Sequence, residues 1–117
     1  MILSLTLPRM GDLTRPGTVH RVIAHAGDAL RPGTPLLEIR VDLDGANARD
    51  CPALIYYRLI ATERAYLRSL LVETGDVVEV AAAIGVATTI ATEALAGPPV
   101  RALRTSSVSI QVHPLSA

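Results

Sequence analysis

The chain has 117 residues, half of them apolar, with no Phe or Trp and only three Tyr. A chain of this length buries a single core, so we expect one main domain whose interior is filled by Leu, Ile, Val and Ala. Eleven Arg balance eleven acidic residues. This neutrality, together with the scarcity of aromatic rings, argues against a nucleic-acid-binding protein.

Every basic side chain other than the histidines is an arginine, so the chain contains no lysine. A lysine Schiff base, a lysine general base and a prosthetic group in amide linkage to a lysine are therefore excluded. The lone Cys51 cannot form an internal disulfide, which agrees with a reducing compartment. The apolar start, Met1–Leu7, lacks the basic residues of a signal peptide, and no apolar run reaches the roughly 18 residues of a membrane helix. We expect a cytoplasmic protein that does not bind membranes.

The first predicted strand is Ile2–Leu7, where apolar and polar residues alternate up to Pro8. An internal repeat follows, because residues 19–39 parallel residues 67–87 at an offset of about 48 positions. Each copy consists of an apolar strand, a Gly-Asp turn and a second apolar strand. Glycine adopts positive φ at little cost, and the Asp carboxylate accepts hydrogen bonds from nearby backbone amides. The repeat predicts internal pseudo-symmetry.

Two more strands are predicted at Ala53–Ile60 and Tyr66–Val72, joined by the polar turn Thr62–Arg64. A helix over residues 54–72 is a competing interpretation, because residues 61–68 have respectable helix propensity. The β-branched content and the repeat favour strands.

The remaining elements complete the predicted domain. Residues 82–92 are apolar and rich in alanine, and we expect them to close the barrel. Residues 96–99, Ala-Gly-Pro-Pro, predict a linker. The alternation over residues 107–112 predicts one further strand, added to a sheet edge or exchanged between subunits. The chain is thus divided into a β domain, 1–95, and a linker with a tail strand, 96–117.

Three segments in the first half resemble lipoyl domains of 2-oxoacid dehydrogenase complexes and biotinyl carrier domains, in order and in spacing. They are Leu7–Asp12, Pro16–Val19 and Ala26–Ile39. The resemblance covers about positions 5–92 and is weaker in its second half. It implies an all-β fold: a flattened barrel or sandwich of two roughly four-stranded sheets with internal pseudo-two-fold symmetry. The C-terminal strand is additional to that fold.

In these families the prosthetic group is attached to a lysine at the tip of a hairpin. By the resemblance, Asp42 matches the aspartate before that lysine in lipoyl domains, and Leu43 occupies the position of the lysine. The following connection is longer than the family's by roughly ten residues, which implies a rebuilt hairpin at 41–52. Because neither leucine nor arginine accepts the acyl group, we expect carrier function to be lost and no cofactor to be bound.

Few side chains are candidates for catalysis. They are Tyr56, Tyr57, Tyr66, His20 and Cys51. The tyrosines concentrate on two strands that we predict to be neighbours, and adjacent residues of one strand face opposite sides of the sheet. At least one ring therefore points away from the core, towards a subunit contact or a pocket. Cys51 precedes Pro52, and the neighbouring sequence offers nothing to activate it as a nucleophile.

No metal site is predicted. His20 and His25 lie five apart on one predicted strand, so their side chains face opposite sides and cannot share a metal. The acidic residues between Asp42 and Asp50 do not follow the calcium-loop spacing and are expected to be solvated. Solvated charges are also expected near the tyrosines, namely Arg58, Glu63, Arg64 and Arg68.

Two functions of different classes fit these observations. The first is a non-acylated domain that acts as a protein-interaction or self-assembling module, docking a partner enzyme or forming a homo-oligomer through the hairpin and the tail strand. The second is a cofactor-independent small-molecule enzyme of the isomerase, cyclase or dehydratase type in a biosynthetic pathway, with a pocket near the extended hairpin in which a Tyr or His acts. A carrier modified elsewhere, on Cys51 or a serine, conflicts with amide chemistry on lysine. We favour the first.

Overall fold

The computed structural model describes residues 1–9, 16–42 and 54–111. All secondary-structure elements in these ranges are β-strands. The all-β prediction is confirmed, and residues 54–72 form strands instead of the competing helix. The described strands are β1 (Ile2–Thr6), β2 (Gly17–Val22), β3 (Ala29–Leu30), β4 (Pro35–Asp42), β5 (Leu54–Ala61), β6 (Ala65–Leu70), β7 (Val77–Val78), β8 (Ala83–Thr88), β9 (Arg101–Ala102) and β10 (Thr105–Ile110).

These strands form two mostly antiparallel sheets of five strands each. Sheet one has the order β3-β6-β8-β1-β9, and sheet two has the order β10-β5-β4-β2-β7. The predicted barrel closure by residues 82–92 is wrong, because β8 lies inside sheet one between β6 and β1. The two sheets do not form a closed barrel.

A single apolar core contains residues from both sheets. Alternate residues of β1, β5 and β6 face it, as the pleat of a strand requires. In sheet one Leu3 and Leu5 are fully buried, and in sheet two Ile39 and Leu59 are. Leucine, isoleucine, valine and alanine fill this core as the composition predicts, and Tyr57 packs against it from the side.

The internal repeat is visible in the backbone hydrogen bonds. The N–H of Gly27 donates to the carbonyl of Leu67 at 2.7 Å, and the N–H of Gly75 donates to the carbonyl of Val19 at 2.8 Å. At the offset of 48 positions Gly27 corresponds to Gly75, and Val19 corresponds to Leu67. The second hydrogen bond therefore joins the counterparts of the two residues that form the first. The strand order repeats as well. Sheet one without β9 has the order β3-β6-β8-β1. Replacing each of its strands by the equivalent strand of the other half gives β7-β2-β4-β5, which is the order of sheet two without β10.

The C-terminal segment adds one strand to each sheet, which is why each has five strands and not the four expected. β9 pairs in parallel with β1, and β10 pairs antiparallel with β5. The tail strand is therefore added to an edge, and it begins two residues earlier than the alternation predicted. Leu103, between the two strands, is buried in the core.

The turn Thr62–Arg64 connects the two sheets. We predicted that the strands before and after it are neighbours, and this is wrong, because β5 belongs to sheet two and β6 to sheet one. Both sides of β5 are already occupied, by β4 and β10, so the chain crosses to the other sheet.

Candidate functional site

The three tyrosines lie in three different environments. Tyr57 packs against the core from sheet two, while Tyr56 lies on the outer face of that sheet, which points away from sheet one. Tyr66 belongs to sheet one, where it lines a cavity that includes neither Tyr56 nor Tyr57. The predicted concentration of all three on neighbouring strands is therefore not found.

The two histidines do not share a strand, contrary to the prediction. β2 ends at Val22, so His25 lies in the following turn, where its backbone N–H donates to the carboxylate of Asp28. His20 is on β2, and its ring meets that of Tyr56 edge to face, with centroids 4.8 Å apart and 69° between the ring planes. Within the ranges that the structure describes, no group of three potential metal ligands is present.

An ion pair lies on the same outer face, where Glu38 of β4 is opposite Arg58 of β5. Glu38 is only 3% exposed. Both Nε and Nη2 of Arg58 donate to its Oε2, at 3.1 and 2.8 Å. Removing a carboxylate from water is costly, and two charge-assisted hydrogen bonds offset part of that cost. Arg58, whose side chain is 40% exposed, is therefore partly solvated as predicted and is also the partner of a buried carboxylate.

Apolar side chains lie on the outer face next to this ion pair. The strand register places Val108 opposite Arg58 and Ile110 opposite Tyr56. Val108 is 43% exposed, and Leu54, at the start of β5, is 40% exposed. An aromatic ring and an arginine among exposed apolar residues are typical of protein interfaces. We call these five residues the β10 face.

The strand β10 also forms the edge of sheet two, since among the described strands it pairs with β5 alone. Its sequence, Thr-Ser-Ser-Val-Ser-Ile, contains no charge and no proline. Natural sheet edges usually carry charges, prolines or bulges that prevent pairing with another chain. Six residues is an ordinary strand length, so this edge is long enough to pair.

A second ion pair attaches the C-terminal segment to the turn between β5 and β6. Arg101 donates from Nη1 and Nη2 to the two carboxylate oxygens of Glu63, both at 2.7 Å, and the backbone N–H of Arg104 donates to the same group at 2.7 Å. The hydrogen bonds from the Arg101 side chain, against the opposing effect of desolvation, lower the pKa of Glu63 to about 2. The carboxylate raises the pKa of Arg101 in return. Glu63 is therefore an anchor for β9 and β10.

The remaining two charges of the predicted solvated set differ from each other. Arg68 donates from Nη1 to the carbonyl of Glu93 at 2.6 Å and to the hydroxyl of Thr88 at 3.3 Å. Arg64 is exposed and has no ion pair or side-chain hydrogen bond within the described part of the chain. Of the four, Arg64 is the one whose side chain has no partner in the described part of the chain.

Several predicted features lie outside the described residues. These are Cys51, Leu43, most of the hairpin at 41–52, and the end of the chain from 112 onward. The stem of that hairpin is described: β4 and β5 run antiparallel up to Asp42, which lies opposite Leu54.

Glu38 was not among the candidate residues derived from the sequence. A signal for it exists, because Leu36, Leu37 and Ile39 make it a lone charge inside an apolar run. A charge in such a run needs a partner if the run is buried. The partner could not be identified from the sequence, since Arg58 is distant along the chain and the pairing depends on strand register.

No family model, no curated protein and no solved structure matches this chain. The described residues also include no helix of sufficient length and apolar character to cross a membrane.

Proposed function

We propose that this chain is a lipoyl/biotinyl-like domain without a prosthetic group, and that it acts as a self-assembling interaction module. The repeated strand order and the antiparallel stem ending at Asp42 support the likeness. The absence of lysine removes the amine on which the carrier chemistry of such domains depends. What the domain still offers is its shape and its surface.

The observation that carries the proposal is the uncharged edge of β10. A strand can pair antiparallel with its own copy about a two-fold axis, so one sequence supplies both sides of the contact. No like charges meet in such a pairing, because β10 carries none. A second copy of this chain is therefore the occupant that we assign to this edge.

The register of this contact follows from the exposed side chains. With the two-fold axis at Val108, each Val108 lies opposite its counterpart and each Ser106 lies opposite Ile110 of the other copy. All three residues are on the outer face of sheet two. The β10 faces of the two copies then adjoin each other, and sheet two continues into that of the second copy.

Size-exclusion chromatography with light scattering tests this arrangement. The wild-type chain is expected at twice its mass of 12.4 kDa. Val108→Arg places two guanidinium groups opposite each other on the axis, and it is expected to give a monomer with unchanged circular dichroism. Leu71→Arg is the control, since Leu71 is 64% exposed and lies outside sheet two; it should remain a dimer. A monomeric wild type, or a dimer that survives Val108→Arg, would contradict the proposal.

The absence of a prosthetic group has a separate test. Intact-mass spectrometry after co-expression with lipoate and biotin ligases should give the mass of the unmodified chain. An increase by one lipoyl or biotinyl group would contradict the non-acylated assignment and leave the self-assembly to be judged by its own experiment.

The alternative, a cofactor-independent isomerase, cyclase or dehydratase, has less support. Its pocket would combine the tyrosines near the extended hairpin, but Tyr66 lies in the opposite sheet from Tyr56 and Tyr57. The pair His20 and Tyr56 lies on the outer face, in contact with each other.

A further inference from the structure

A cavity of about 270 Å³ opens at the edge of sheet one, away from the β10 face. Its walls come from β3, where Ala29 lies opposite Tyr66 of β6, and from the residues next to them. Arg31, Arg64 and Thr89 complete the polar part of the lining. The cavity is thus partly apolar and partly basic.

The charge in this cavity is uncompensated. Its lining residues include two arginines, Arg31 and Arg64, and no acidic residue. Neither guanidinium forms an ion pair or a hydrogen bond within the described ranges. In contrast, Arg58, Arg68 and Arg101 each donate to an oxygen of the protein. The cavity has the donors for an anion that the protein itself does not supply.

The backbone around both arginines is held in place. The N–H of Arg31 donates to the hydroxyl of Thr34 at 2.9 Å, and the N–H of Thr34 donates back to the carbonyl of Arg31 at 2.9 Å. Arg64 follows Glu63, whose carboxylate is bound by Arg101. Rigid backbone at both positions reduces the ordering cost of binding a ligand.

Two hydroxyl groups add to the donor set. Tyr66 lines the cavity, and its phenol has no hydrogen-bond partner within the described residues. The hydroxyl of Thr89 accepts a hydrogen bond from the amine of Met1 at 3.0 Å, so its own proton remains available to donate.

The other half of the molecule provides an internal comparison. At the offset of 48 positions, Glu79 corresponds to Arg31 and Pro16 corresponds to Arg64. The repeated backbone therefore folds without basic residues at these places. Neither arginine is required by the turn in which it lies.

We propose that this cavity binds a small organic molecule through an oxyanion group, a phosphate or a carboxylate. Guanidinium groups recognise both anions through pairs of parallel hydrogen bonds. The exposed Ala29 contacts the rest of the ligand, since Leu30 and Ala65 are almost fully buried in the core, and the volume limits the ligand to a small one. This site is independent of the self-assembly proposed above.

Titration of the full-length, isotope-labelled chain with inorganic phosphate and with acetate, at constant ionic strength, tests the proposal by amide chemical shifts. Saturable shifts centred on residues 29–31 and 64–66 are expected with at least one of the two anions. Saturation by phosphate alone identifies a phosphate site, by acetate alone a carboxylate site, and by both an oxyanion site of either kind. Absence of saturation with both overturns the proposal.

Matched charge reversals separate specific binding from general attraction. Arg31→Glu introduces the residue type that position 79 carries in the other half, and is expected to weaken binding at least about tenfold. Arg9→Glu changes the net charge by the same amount. Arg9 follows the C-terminal end of β1, whereas the pair Ile2 and Thr88, next to the cavity residue Thr89, lies at the other end of that strand. The affinity of Arg9→Glu for the anion should therefore match that of the wild type. Equal weakening by both variants overturns the site. If Arg31→Glu fails to fold, Arg31→Gln and Tyr66→Phe provide the same test.

Discussion

The two halves of this domain, related by the offset of 48 positions, form equivalent hydrogen bonds from backbone N–H groups that belong to different residue types. In the first Gly-Asp turn the N–H of His25 donates to the Asp28 carboxylate at 2.8 Å, and in the second the N–H of Glu73 donates to Asp76 at 2.9 Å. The donor residue differs completely in charge and shape, while the acceptor is the same. The turn therefore depends on its Gly-Asp pair and leaves the flanking position free to diverge.

The halves differ more at two other pairs of positions. Gly33 has φ of 95°, and its counterpart Ala81 adopts a φ of 70°, although the left-handed region is unfavourable for a residue with a Cβ. Leu37 is fully buried in the core, and its counterpart is Gly85. Repetition of the backbone thus does not imply repetition of the local energetics.

The C-terminal segment adds one strand to each half. β1 and β5 are equivalent under the exchange of halves, and each would be an edge strand without this segment. The segment covers both, with β9 parallel on β1 and β10 antiparallel on β5. It converts two equivalent edges into one short edge and one long edge, and the long edge is where we place self-assembly.

Leu103→Ala is expected to have the largest effect, because it weakens the attachment of this segment to both halves. Leu103 is 4% exposed and belongs to the core, and its N–H donates to the carbonyl of Ser4 at 2.8 Å. Truncation of a buried leucine costs about 3 kcal/mol of unfolding free energy, measurable by urea denaturation. Leu71→Ala, at an exposed position, is the control. Equal small losses would show that the segment contributes little to the fold.

Gly85→Ala is expected to lower the unfolding free energy, because this position cannot accept a side chain although its counterpart in the first half is Leu37. A Cβ at Gly85 would lie 2.8 Å from the carbonyl oxygen of Ser69 and 3.2 Å from Cδ2 of Leu5. Backbone must move to relieve the first contact, so the cost is about 2 kcal/mol. Urea denaturation measures it, and a loss near zero would mean that β6 and β8 separate easily at this point.

Gly33→Ala and Ala81→Gly exchange glycine and alanine between the halves, and they are expected to change the unfolding free energy in opposite directions. Gly33→Ala places a Cβ at a left-handed position with nothing within 4 Å, so only backbone strain is added, at about 1 kcal/mol. Ala81→Gly removes that strain and should stabilise the fold by about 0.5 kcal/mol, because the added freedom of the unfolded chain offsets part of the gain. Thermal unfolding of both variants measures the pair. Changes of the same sign would contradict the strain at Ala81.

The repeat, the turns and most strands could be predicted from the sequence because they depend on local patterns. Gly27 and Gly75, each followed by Asp, mark turns, and the alternation over Ile2–Leu7 marks a strand. The repeat adds information about symmetry that no single element carries.

Sheet membership and the ion pairs could not be predicted in the same way. Placement of β6 in sheet one depends on which strands already flank β5, and that is a property of the whole fold. Glu38 meets Arg58, and Glu63 meets Arg101, only after register and crossover are settled. The missing lysine is different, because an absence from the composition is certain without any structure.

Glu63→Gln is expected to have a small effect that depends on pH. Glu63 attaches the C-terminal segment to the turn between the halves through Arg101, whose hydrogen bonds lower its pKa to about 2 from the ordinary 4.5. Well above pH 4.5 the carboxylate is charged in both the folded and the unfolded chain, and its stabilising contribution is complete. As the pH falls from 4.5 towards 2, the unfolded chain takes up the proton first, so the contribution is lost progressively.

The expected contribution is about 1 kcal/mol at neutral pH, since solvent screens an ion pair near the surface. Unfolding free energies of the wild type and Glu63→Gln, measured from pH 7 to pH 2, should differ by that amount at pH 7 and converge near pH 2. A difference independent of pH would mean that the glutamine disturbs the turn itself. In that case the attachment of β9 and β10 would not depend on the charge of Glu63, and the equivalent edges of the two halves would be held by packing at Leu103 and strand pairing alone.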